Sequence, residues 1–98
     1  MTAEAHEFRP DWTIAPASML RFYLDENHLS LRVALAGTVN YHRRDEAVAM
    51  LEQVLDKRPL TDRHANLLGD ATGIPAQFWL TFEHNYRAGL AAGLTDAT

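Results

Sequence analysis

Ile74-Pro75-Ala76-Gln77-Phe78-Trp79-Leu80, followed by Phe82 and Tyr86, reads as one helix with a dense aromatic face. Pro75 suits the first turn, where its missing N–H would have no partner. Phe78, Trp79, Phe82 and Tyr86 recur at three-to-four spacing, the pattern of a helix that turns one stripe inward. The spacing predicts a helix over 75–88 whose aromatic face is core and touches no ligand. Gly89, Gly93 and the closing Thr95-Asp96-Ala97-Thr98 predict a flexible tail over 91–98, although Leu90 and Leu94 also fit a longer helix.

Upstream, Gly73 stops a fourth helix that Thr61 caps, with Ala65, Leu67, Leu68 and Ala71 as its apolar positions. Lys57, Arg58 and Pro59 close a third helix, which begins near 42–45 and buries Ala47, Val48, Leu51, Val54 and Leu55. Asp45 and Glu46 suit the positive end of its dipole. Ser30 caps a second helix with Leu31, Leu35, Ala36 and Val39 facing inward. That helix ends either at Val39, with Asn40 in a left-handed turn, or early at Gly37; the end at Val39 is the preferred reading. Pro16 opens the first helix, whose stripe is Met19, Leu20, Tyr23 and Leu24 and whose polar end is marked by Asp25, Glu26, Asn27 and His28. Before it, 1–15 form a polar lead-in with Trp12 and Ile14 as apolar anchors. The pattern is all-α: five short helices in one domain over 16–90.

Composition narrows the function. A chain of 98 residues, 47 % of them apolar, holds one domain with a modest core, which argues against a two-domain enzyme. There is no Cys, so disulfides and thiolate zinc sites are excluded. The first eleven residues carry Glu4, Glu7, Asp11 and Arg9 with no apolar run of the signal-peptide kind. No apolar run is long enough to span a bilayer, and a soluble cytoplasmic protein is expected. The histidines His6, His28, His42, His64 and His84 include no pair with metal-ligand spacing on one helix, so each is expected at the surface or its boundary. Ser18 and Ser30 lack a nearby base, and no Gly-rich phosphate loop is present. Neither catalysis, a metal nor a cofactor is expected.

Four pieces in order carry a resemblance. Trp12, Pro16, Leu20, Leu24, Asn27, Leu29 and Ser30 come first, and Leu35-Ala36 second. Val54-Leu55 with Arg58-Pro59-Leu60-Thr61 is third, and Gly73 with Pro75-Ala76, Phe78-Trp79-Leu80 and Tyr86 is fourth. Over 12–86 the chain resembles the HigA-type antitoxins of the lambda-repressor-like (XRE) helix-turn-helix family and related small phage regulators. The pieces are similar to that family's first helix, its helix-two pair, its exit from the recognition helix and its aromatic closing helix. Two departures fall between Leu35-Ala36 and Val54-Leu55: the segment is about one helical turn longer, and Asn40 stands where a turn Gly is usual.

The resemblance implies a five-helix lambda-repressor-like helix-turn-helix domain that binds double-stranded operator DNA as a homodimer and represses by occlusion. It also implies a possible second partner, a toxin or a host protein. Net charge is −4, which disfavours indiscriminate nucleic-acid binding. Between Asn40 and His64, however, five basic and five acidic residues cancel, so the net negative charge lies elsewhere. A recognition helix presents the side chains of its N-terminal end to base edges, and Tyr41, His42, Arg43 and Arg44 occupy that place. Arg43 and Arg44 are the first candidates, because Arg bonds bidentately to guanine. Arg32, Lys57 and Arg58 are candidate phosphate anchors. An ordinary solvated helix start is the competing reading of this run, favoured by Asp45 and Glu46.

Two other readings stay open. A protein-interaction module would use Tyr86, Leu90 and Leu94 on the terminal helix, a surface that also suits a homodimer, although core packing is the preferred role for Tyr86. A repressor or excision-type regulator would bind DNA with no toxin at all.

Overall fold

The computed structural model describes residues 12–37 and 40–97. Among the described residues there are five α-helices: α1 (Pro16–Glu26), α2 (Leu31–Leu35), α3 (Arg44–Leu55), α4 (Asp62–Thr72) and α5 (Ala76–Ala91). A 3-10 turn, Tyr41–Arg43, leads into α3. Two short strands, β1 (Trp12–Thr13) and β2 (Thr95–Asp96), complete the order.

Local chemistry sets the helix ends. The Ser30 hydroxyl accepts from Val33 N at 3.2 Å, capping α2 as its sequence predicts. Gly73, at φ 79°, stops α4 in the left-handed conformation that only glycine adopts freely. α1 and α3 stop without glycine: His28 (φ 53°) and Lys57 (φ 64°) take the left-handed position. Leu29 N then reaches Leu24 O at 2.9 Å and Arg58 N reaches Gln53 O at 3.1 Å, so the final carbonyls are satisfied. α2 is short, with Ala36 as its C-cap; the longer helix preferred from the sequence would have ended at Val39, which lies outside the described residues.

One core joins all five helices. Leu20 and Leu24 of α1, Leu35 of α2, Leu51 and Val54 of α3, Leu68 of α4 and Trp79 of α5 pack together. Trp79 is fully buried and meets Phe82 edge-to-face, ring centroids 5.8 Å apart. Phe78 departs from the expected aromatic stripe and is 55 % exposed. The inward face of α5 runs through Trp79, Tyr86 and Gly89, with Phe82 half-buried beside it. Phe78 is one residue off that line, a turn of about 100° around the helix.

The ends of the described chain are tied together. β1 and β2 pair in parallel, Trp12 opposite Thr95 and Thr13 opposite Asp96, and Ala97 N donates to Thr13 O at 2.9 Å. This differs from the polar lead-in and flexible tail read from composition, because each partner's bonding groups lie far away in sequence. Trp12 and Ile14 are not the anchors expected of them, at 46 % and 42 % exposed. Ala15 and Ala17 are the buried residues there, against Tyr86 and Leu90.

Gly89 makes that closure possible. A Cβ on Gly89 would lie 2.8 Å from both Cβ and Oγ1 of Thr13. Thr13 Cβ is fixed to the backbone, so relief requires β1 to move away. Gly89→Ala is therefore expected to destabilise by about 1–3 kcal/mol, against the roughly 1 kcal/mol that alanine gains in a helix interior. Urea unfolding checks the sign, and a more stable variant would refute this packing.

Candidate nucleic-acid interface

Two helices and a turn build one end of the molecule. Ahead of α3 stands Asn40, whose Oδ1 accepts from His42 N at 3.1 Å while its carbonyl accepts from Arg43 N at 2.9 Å. Such an Asx turn suits Asn at a place where glycine is otherwise used. The 3-10 turn that follows delivers Arg44 to the first position of α3. The side chain of Tyr41 lies outside the described residues.

The cationic side chains divide into two groups. Arg32 on α2, His42 and Arg43 on the turn and Arg44 on α3 come together at the N-terminal end of α3. Their settings differ. His42 and Arg43 are exposed. Arg44 is partly buried, and its Nη2 donates to Ala36 O at 3.2 Å, strapping the start of α3 to the end of α2. Arg32 Nη2 meets Asp45 Oδ1 at 2.7 Å, a second tie between α2 and α3, with both side chains largely in solvent. Arg63 Nη2 of α4 lies 3.4 Å from Glu46 Oε1, so each carboxylate of the first turn of α3 faces an arginine from another helix. Beside them an open cleft of about 380 Å³ between α3 and α4 is lined by Asn40, Arg43, Glu46, Arg63, Asn66 and Asp70.

Lys57 and Arg58 do not join this group. They follow the C-terminal end of α3, whose 12 residues span roughly 18 Å. Lys57 is engaged there: its Nζ lies 2.9 Å from Asp96 Oδ2, and its carbonyl accepts from Arg87 Nη2 at 2.8 Å. Asp96 also accepts from the Tyr86 hydroxyl at 2.6 Å. Burial and that bond push the Tyr86 phenol up to about 12. Glu83 completes the network, accepting from Leu60 N at 3.2 Å and from Arg87 Nε at 2.9 Å.

This network corrects the proposed contact surface on the terminal helix. Tyr86 is 3 % exposed and Leu90 packs against it with Ala15 and Ala17, so both serve the interior. Leu94 is half-buried. Tyr86 and Leu90 share one helical face as the sequence pattern suggests, and Ala15 and Ala17 pack against it, whereas Leu94 lies beyond the end of α5 at Ala91.

Sequence reasoning also missed His64, expected at the surface and found 6 % exposed. Thr61 N donates to His64 Nδ1 at 3.0 Å and the Thr61 hydroxyl lies 2.8 Å from the same atom, closing a capping box at the start of α4. With Nδ1 accepting, the proton sits on Nε2, which donates to Gln53 Oε1 of α3 at 3.0 Å. The signal was Thr61-Asp62-Arg63-His64, a capping-box spacing with His in place of Glu or Gln.

Burial, then the adjacent Arg63 charge, holds this imidazole below its usual 6.5, with Glu83 pulling the other way. The folded state thus takes up its proton later than the unfolded chain. The resulting stability is present in full above 6.5 and is lost as pH falls through the folded value. His64→Gln keeps an acceptor without titrating. From about pH 7 to about pH 5, wild type is expected to lose more thermal stability than His64→Gln, and parallel losses would contradict the assignment.

Among the described residues no helix is long and apolar enough to cross a membrane, and no group of three or more His, Asp or Glu is arranged to hold a metal. No family model, curated protein or solved structure matches the chain.

Proposed function

We propose that the chain is a DNA-binding transcriptional regulator whose α2–turn–α3 pair acts as a lambda-repressor-like helix-turn-helix, with α3 as the recognition helix. One observation carries this reading: Arg43 and Arg44 open a 12-residue helix, and Arg32 from α2 reaches the same end through its 2.7 Å contact with Asp45. That end also presents backbone amides and the positive pole of the helix dipole, which favour phosphate. Arg43, exposed at the N-cap of α3, is the base-reading or phosphate-binding candidate. Arg44 positions α3 through Ala36 and is a contact only in that setting. The mechanism is occlusion of a promoter in the cytoplasm, by a dimer that reads half-sites about one DNA turn apart. The resemblance to HigA-type antitoxins and phage regulators supports the same reading.

The test is a titration of wild-type protein against DNA upstream of its own gene at several salt concentrations. Binding is expected, with affinity falling about 10²-fold or more between about 50 and 200 mM salt if five or so phosphates are neutralised. Absence of salt-dependent binding would overturn the proposal.

A second reading is favoured by a separate observation. Phe22 and Phe78 are 64 % and 55 % exposed, and Asp45 neutralises Arg32 at the proposed interface, both of which suit a domain that binds a toxin or host protein. Co-purification of a stoichiometric partner, together with no DNA binding, would support it in place of the first.

A further inference from the structure

The Arg32–Asp45 pair has features that a purely structural tie does not need. It links the two helices of the proposed reading head at 2.7 Å, yet the side chains are 58 % and 86 % exposed. A pair so open to solvent is weakly held and exchanges readily with other ions. Asp45 stands in the first turn of α3, where free amides and the dipole draw an anion, and it faces the arginine that would otherwise meet phosphate there. Glu46 differs, since it turns to Arg63 on α4 and away from α2.

Resting on the DNA-binding reading, we propose that Asp45 is an affinity-setting residue: its carboxylate holds Arg32 in place of a DNA phosphate, and DNA binding displaces it. Free protein thus carries an internal competitor at its own interface. Arg32 contributes less to the affinity of the wild type than an unpaired arginine would, because an existing ion pair must be broken before it reaches the backbone. Once the carboxylate is removed, Arg32 is released to bind phosphate directly.

The test is a double-mutant cycle read by titration with upstream duplex DNA across a salt series. Asp45→Asn is expected to bind about two- to fivefold tighter, with its log–log salt slope little changed, because Arg32 neutralises the same phosphate in both complexes. Arg32→Ala should weaken binding less in the wild type than in the Asp45→Asn background, and should abolish the gain when combined with Asp45→Asn. A gain that survives in the double variant would assign the effect to general charge and overturn the proposal, as would no gain at all. If wild type and Asp45→Asn both fail to bind any DNA, the DNA-binding reading falls, and this proposal with it. Circular dichroism at the titration temperature verifies that each variant is folded.

Discussion

Trp79→Ala is expected to destabilise the protein by about 3–5 kcal/mol, a large share of the roughly 5–15 kcal/mol that holds a domain of this size folded. The indole is fully buried in the core that it shares with residues of α1, α2, α3 and α4. Truncation removes its packing within that core and its edge-to-face contact with Phe82, leaving a cavity. Trp79→Phe is expected to be milder, because Nε1 has no hydrogen-bond partner among the described residues to lose. Urea unfolding of the two variants gives the comparison. A loss below about 1 kcal/mol for Trp79→Ala would mean that the α5 helix does not close the core.

The helical frame was legible in the sequence because its signals are local. Ser30, Thr61 and Gly73 act where they stand, through bonds to residues three or four away, and the structure uses each as its spacing suggests. The apolar stripes of α1, α3 and α4 are likewise periodic, so their buried faces follow from position alone. What the sequence left hidden depends on partners distant along the chain. The β1–β2 pairing joins residues more than eighty positions apart, and no pattern near Trp12 or Thr95 announces it. That end of the chain packs Leu90 inward beside Tyr86, which the aromatic stripe already places in the core, and gives Lys57 a carboxylate partner, Asp96.

The candidate interface was half legible. Its arginine run stands out as sequence, and Arg32, Arg43 and Arg44 are brought to one end of α3. Their division of labour was not visible. Which arginine lies in solvent and which straps the turn follows from the carbonyl of Ala36, exposed by the early end of α2. A longer α2 would have consumed that carbonyl within the helix, and Arg44 would then resemble Arg43.

That distinction sharpens the second large prediction. Arg43→Ala should weaken binding to upstream DNA by about tenfold or more, the effect of losing one arginine contact worth roughly 1–3 kcal/mol. The variant should remain folded, because Arg43 is exposed and its part in the turn is made by its backbone. Arg44→Ala is a poorer probe, since it also releases α3 from Ala36. Arg58 is the matched control: an exposed arginine just past the opposite end of the same helix.

The measurement that bears most directly on the account is the DNA affinity of wild type, Arg43→Ala and Arg58→Ala, titrated in parallel at one low salt concentration. The account predicts that wild type and Arg58→Ala bind alike while Arg43→Ala loses about tenfold or more. Equal affinity of wild type and Arg43→Ala, or a larger loss in Arg58→Ala, would contradict the assignment of the N-terminal end of α3 as the surface that meets DNA.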